Sequence, residues 1–118
     1  MITKIERISG PRSPSIHLGA ACKQMISSCL TASDKSGDVA DQTLNILQVI
    51  ERHLSENGSG REKLMMVQVW LADIRDFPEF RRVWNEWTLP DHPPALSVVE
   101  AAASRKDSLI EIRAYAAP

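Results

Sequence analysis

The sequence predicts an α+β domain: one mixed sheet with two helices on one face. Three observations predict it. Short alternating apolar runs occur at both ends of the chain. Two amphipathic stretches with helix-start signals lie between them. The resulting order is strand, strand, strand, helix, strand, helix, strand, strand. At 118 residues, the chain is read as a single domain over 1–118.

ITKIERI alternates and forms a first strand, Ile2 to Ile8. Gly10, Pro11 and Pro14 then break regular structure. IHLGAACKQMISSCL predicts a hairpin, with strands Ile16–Leu18 and Cys22–Leu30 around Gly19, Ala20 and Ala21. Thr31–Gly37 is a polar loop. Asp38 to Asn57 is a helix. Val39, Thr43, Ile46, Leu47, Ile50 and Leu54 make one apolar stripe. Asp38 and Asp41 suit its N-terminal dipole end, and Asn57-Gly58 its left-handed cap.

Lys63 to Asp73 is apolar at nearly every position, the pattern of a strand covered on both faces. A second helix starts at Asp76, read as a cap, with Pro78 in the first turn and Glu79 three residues on. Phe80, Val83, Trp84 and Trp87 form its buried stripe, and Pro90, Pro93 and Pro94 stop it. Ala95–Ala103 and Ser108–Ala116 are two strands. The segment Ser104-Arg105-Lys106-Asp107 between them reads as a hairpin turn. Two helices cover one face of such a sheet. The other face, with its Ala, Ser, Val and Leu side chains, predicts oligomerisation.

Composition excludes several function classes. The 14 basic and 15 acidic residues leave a net charge of -1. That gives nucleic-acid binding no electrostatic driver, so a nucleic-acid partner is not expected. No run reaches the ~20 apolar residues that span a bilayer, so no membrane partner is expected. Met1 to Gly10 is polar and strand-like, unlike a signal peptide. A cytoplasmic protein with two free thiols, Cys22 and Cys29 on one strand, is expected. There is no CxxC and no His/Cys cluster, so no metal is expected.

Candidate chemistry is sparse. His17, His53 and His92 share no ligand spacing and are read as surface or half-buried, His53 at a rim. Ser27 and Ser28 stand in a strand with no partnered base visible. Trp84 and Trp87 follow the helix period and are read as core rather than as a stacking platform. Glu111 differs, because it interrupts the apolar strand SLIEIRAYA. It is read as an exposed or ion-paired strand residue, or as a carboxylate at the mouth of an inter-subunit cleft.

Taken together, DQTLNILQVIERHLSENG, VQVWLADIRDFPEFRRVWNEW, PPALSVVEAA and LIEIRAYAA resemble the reactive-intermediate deaminase (RidA/YjgF) family, also labelled endoribonuclease L-PSP. The resemblance runs from Gly10 to Ala116. Its most specific parts are Gln42-Thr43, Leu71-Ala72-Asp73 with Asp76-Phe77, and Glu111 in Ile-Glu-Ile. It implies a chorismate-mutase-like fold and a homotrimeric barrel with the sheets inside and the helices outside. It also implies three clefts between subunits for a small-molecule ligand of the 2-imino or 2-oxo acid class. No cofactor is implied.

In deaminating members an arginine at the start of a Pro-Ala-Arg-Ser/Thr strand grips the ligand carboxylate, a task suited to a bidentate guanidinium. A carboxylate matching Glu111 positions the attacking water. Here Pro94-Ala95-Leu96-Ser97 puts Leu96, which has no donor, at the arginine position. Arg12 stands where tyrosine is common, and Arg81 where asparagine is usual. Ile26-Ser27-Ser28 keeps the serine of Val-Ser-Gly and replaces its glycine. The resemblance therefore implies Glu111 as the catalytic residue and Arg12, Ser27, Ser28, Arg81, Leu96 and Val98 as ligand-binding positions. Arg12 and Arg81 are the candidates for the missing cation, and each is equally readable as a solvated arginine. Three functions stay open: imine or enamine hydrolysis, metabolite binding without that reaction, and RNA cleavage or inhibition of translation.

Overall fold

A computed structural model describes residues 1–118. Six strands form one sheet in the order β1-β2-β3-β6-β4-β5, with two helices on one side. The α+β class and the strand count match the sequence reading. The strands are β1 (Thr3–Ile8), β2 (Ile16–Ala21), β3 (Ile26–Thr31), β4 (Leu64–Leu71), β5 (Ala95–Glu100) and β6 (Ile110–Ala116). The helices are α1 (Val39–Glu56) and α2 (Phe77–Trp87). All neighbouring strands are antiparallel except β4 and β5. Neither helix is long and apolar enough to cross a membrane.

The alternation in β6 shows how the layers are made. Ile110, Ile112, Ala114 and Ala116 are buried under the helices, while Glu111, Arg113 and Tyr115 face the open side. In β4, Val67, Val69 and Leu71 point to the helices. The expected stripes of both helices meet these strands: Ile46, Leu47, Ile50 and Leu54 from α1, and Phe80, Val83, Trp84 and Trp87 from α2, are all buried. Each fully buried side chain of this size stabilises by roughly 1.5–3 kcal/mol. Phe80, Trp84 and Trp87 meet in sequence along α2, the first pair stacked at 6.0 Å between ring centroids and the second tilted by 45° at 5.7 Å.

α1 begins with a reciprocal capping box. The Asp41 amide donates to Asp38 Oδ1 at 2.9 Å, and the Asp38 amide to Asp41 Oδ2 at 3.2 Å. Gly58, at φ 80°, supplies the left-handed residue after the helix.

Several expectations are corrected. β5 and β6 do not form a hairpin, because β4 lies between them and pairs with both. The turn residues Ser104–Asp107 belong to a longer crossing segment. The observed strands are accordingly shorter than Ala95–Ala103 and Ser108–Ala116. β4 is covered by the helices on one face only, and Met65 at its start is 61% exposed. Its continuous apolar run marks a central strand whose second face is open within this chain.

The β2–β3 turn falls at Cys22–Met25, where the Cys22 amide donates to the Met25 carbonyl at 2.9 Å. Gly19–Ala21 are therefore strand, and Cys22 and Cys29 do not share one. The polar pair Lys23-Gln24 marks that turn better than the small residues did. Asp76 makes no side-chain cap. Asp73 caps a one-turn 3₁₀ segment instead, Ile74–Asp76, that leads into α2. Asp76 is already helical (φ −79°, ψ −2°), so it lacks the extended geometry a capping side chain needs.

Two backbone features shape the site. β2 pairs with β3 only over Gly19–Ala21, opposite Ser28–Ile26. Beyond that, Ile16–Leu18 and Cys29–Thr31 diverge and leave a fork. Glu6 interrupts the β1–β2 ladder with φ 49°, a conformation uncommon outside glycine.

Candidate functional site

The fork between β2 and β3 opens into a cavity of about 500 Å³. That size suits a small organic ligand. Ile8, Ile16, Leu18 and Val49 supply apolar wall, and Glu6, Lys35, Arg52, Arg105 and Glu111 line it with charge. Glu111 comes from the centre of the sheet, between Thr31 of β3 and Trp70 of β4. Its Oε2 lies 3.7 Å from Cys29 Sγ. Beside it, the Arg113 guanidinium lies 5.2 Å over the Trp70 ring. Burial pushes the Cys29 thiol up. The Arg113 guanidinium beside it opposes this, and the Glu111 charge adds to it.

The two cation-bearing segments at the cavity, 32–38 and 101–109, are pinned by one residue. Gln42 is fully buried. Its amide Nε2 sits 3.3–3.4 Å from the carbonyls of Lys35, Gly37 and Asp107. Its Oε1 accepts from the Leu109 amide at 3.0 Å. A buried amide so satisfied fixes both segments relative to α1.

Behind the fork lies a second polar cluster. His53 is 1% exposed, so the rim position is corrected. Its Nδ1 is 2.8 Å from Ser28 Oγ, and its Nε2 is 2.7 Å from Glu6 Oε1. A carboxylate only accepts, so Nε2 carries a proton, and in the neutral ring Nδ1 accepts from the Ser28 hydroxyl. Arg52 adds a bond to the same Glu6 oxygen at 2.6 Å. The hydrogen bond from His53, with Arg52 beside it, holds the Glu6 carboxyl below the usual range despite partial burial. The base unseen beside Ser28 in the sequence is thus His53, one layer away on α1. Ser28 itself is 0% exposed, faces the helices and does not line the cavity.

The structure disperses the other expected positions. Ser27 faces the open side of β3, away from Ser28, with its hydroxyl 3.5 Å from the Ala20 carbonyl. Arg12 is exposed in the turn after β1 and does not line the fork. Arg81 is exposed on α2, its guanidinium 5.7 Å over the Phe77 ring. Leu96 and Val98 lie on edge strand β5 beside Val67 and Val69. By alternation they share the helix side of the sheet, Leu96 exposed at the edge and Val98 packed on the core. Glu111 is on the opposite side. Within one chain, then, only Glu111 of the expected set reaches the cavity. Lys35 and Arg105, which do reach it, lie in polar segments whose sequence carries no sign of convergence. The one available clue was Gln42, a polar residue on the apolar stripe of α1.

Comparison with known proteins decides the family. The profile of the family described as Endoribonuclease L-PSP matches residues 24–118. The chain belongs to this family, also known as RidA/YjgF. A RutC family protein of Haemophilus ducreyi is 31% identical over 80 residues, 68% of each chain. YoaB of Escherichia coli, another RutC family protein, is 30% identical over 80 residues, 68% of this chain and 70% of its own. Among solved structures, an uncharacterised Pseudomonas aeruginosa protein superposes with a TM-score of 0.87 at 27% identity, covering 99% of this chain and 98% of its own. A YjgF family member from Neisseria meningitidis gives 0.84 at 27%, covering 99% and 94%. The L-PSP match takes in β3 to β6, both helices, Gln42 and Glu111.

Proposed function

We propose that the protein is a RidA-type homotrimer that hydrolyses 2-imino acids, or their enamine tautomers, to 2-oxo acids and ammonia. One observation carries the reading: Glu111, half-buried on the open sheet face, lines a ligand-sized cavity that is also lined by the cationic side chains of Lys35 and Arg105. Family membership supports a small-molecule role.

The chemistry is simple and needs no cofactor. A water oxygen adds to the imine carbon, and the C=N π pair moves to nitrogen. Glu111 accepts the water's proton and returns it to the amine. Glu111 then passes the carbinolamine hydroxyl proton to the amine nitrogen as the C–N bond breaks, the bonding pair leaving with nitrogen as ammonia and the C=O bond of the 2-oxo acid forming. A positioned carboxylate in this role accelerates by about 10²–10⁴-fold.

The trimer is supported by the open face. Val99 and Met66 are exposed there and Trp70 is half-buried, an apolar surface of the kind that marks association. Leu96 and Glu111 lie on opposite sides of one sheet, so a ligand touching both needs two chains. We take the protein to act in the cytoplasm, where free Cys22 and Cys29 persist.

A second reading is binding of the same acids without turnover. Leu96 favours it, because a leucine offers no donor to a carboxylate. The test is loss of an oxidase-generated 2-imino acid, followed by trapping, with and without the purified protein. Faster loss with the protein supports hydrolysis, and an unchanged rate with saturable 2-oxo acid binding supports the second reading.

A further inference from the structure

We infer that Lys35 and Arg105 form a carboxylate-anchoring site in the β2–β3 fork. The site lies within one chain and replaces the donor that Leu96 cannot provide. The inference rests on Glu111's cavity being the ligand site, but not on turnover.

The charge balance of the fork points to it. Five charged side chains line the cavity. Two of them, Glu6 and Arg52, neutralise each other at 2.6 Å. That leaves Lys35 and Arg105 against the single carboxylate of Glu111. Neither cation is in an ion pair. Lys35 Nζ donates to the Ala32 carbonyl, and Arg105 donates to Ser13 Oγ at 3.0 Å. Both are only partly exposed, and both have neutral partners alone. Burial, and then the Arg105 charge, push the Lys35 ammonium down. A bound anion relieves both effects.

Placement supports the same conclusion. Gln42 ties the Lys35 carbonyl and the Asp107 carbonyl to one buried amide, so the two segments are fixed before any ligand arrives. Preorganised cations lose less on binding. Next to them, Ile16, Leu18 and Val49 offer apolar wall for a short side chain. The chemistry recognised is therefore a small monocarboxylate with a short apolar tail.

The test is titration of the purified protein with 2-oxobutyrate, followed by amide chemical shifts, with 2-butanone as the neutral isostere. The expected result is saturable binding of the acid, with shifts at Thr31, Lys35, Arg105 and Glu111, and none with the ketone. Lys35→Met and Arg105→Met should each weaken binding by about tenfold or more, while Arg82→Gln, an exposed α2 residue, should not. Melting curves separate lost binding from lost fold. Equal binding of acid and ketone, no saturable binding by the parent, or unchanged affinity in both folded variants would overturn the inference. Imine hydrolysis that ignores both substitutions would leave the proposed function standing and this site refuted. Charge-dependent binding without hydrolysis would do the reverse.

Discussion

The imidazole of His53 and the carboxylate of Glu6 meet at 2.7 Å, joining helix α1 to edge strand β1. The other ring nitrogen holds Ser28 on β3. One buried histidine thus ties two strands to one helix, on the side of the sheet away from Glu111. Removing it strands a buried hydroxyl and opens a cavity. His53→Ala should destabilise by roughly 2–4 kcal/mol in urea unfolding. A loss below ~0.5 kcal/mol would show that the cluster is replaceable by water.

The same contact gives a pH dependence. Glu6 titrates lower in the folded chain than when unfolded, chiefly because of the His53 hydrogen bond. Its contribution is therefore present above the ordinary glutamate range and is lost as pH falls through the folded value. Glu6 is 39% exposed, so solvent screening keeps the term small. Stability of the parent should fall faster than that of Glu6→Gln on acidification below about pH 5. Parallel curves would contradict the assignment.

Cys29 should be a slow thiol. Burial, opposed by Arg113 and reinforced by Glu111, keeps its proton on at neutral pH. Alkylation by iodoacetamide, resolved by peptide mapping, should be slower at Cys29 than for an ordinary free cysteine and should speed up only at alkaline pH. In Glu111→Gln it should quicken, because one of the raising charges is gone.

Two glycines should respond differently to alanine. At Gly19 a Cβ would lie 2.3 Å from the Ser27 carbonyl oxygen, so β2 and β3 must separate at their only paired segment. Gly58 has open space, and only its φ of 80° resists a side chain. Gly19→Ala should cost several kcal/mol or prevent folding, while Gly58→Ala should cost about 1 kcal/mol.

Much of this fold is readable in local pattern. The stripes of α1 and α2 and the alternation around Glu111 follow from periods of 3.6 and 2. Strand pairing is less readable. Ser104-Arg105-Lys106-Asp107 has the composition of a hairpin turn, yet β4 inserts between its flanking strands. Nothing local encodes that insertion, because it depends on the parallel β4–β5 ladder formed across α2. The site divides along the same line. Glu111 stood out because a carboxylate breaks an apolar strand. His53, Ser28 and Glu6 lie far apart in sequence, and the left-handed backbone at Glu6 that accompanies their meeting has no composition signal. Lys35 and Arg105 converge through Gln42, a contact between segments more than sixty residues apart.

Association should be visible without ligand. Sedimentation equilibrium should give about three times the 13.1 kDa chain mass. Val99→Glu places a charge on the open face and should shift the mass toward the single chain.

The most direct measurement is the rate of 2-imino acid hydrolysis by the parent and by Glu111→Gln, under conditions where both bind 2-oxobutyrate. Acceleration by the parent and a loss of about 100-fold or more in the variant are expected. A parent rate equal to buffer, or a variant as fast as the parent, would contradict the proposed reaction.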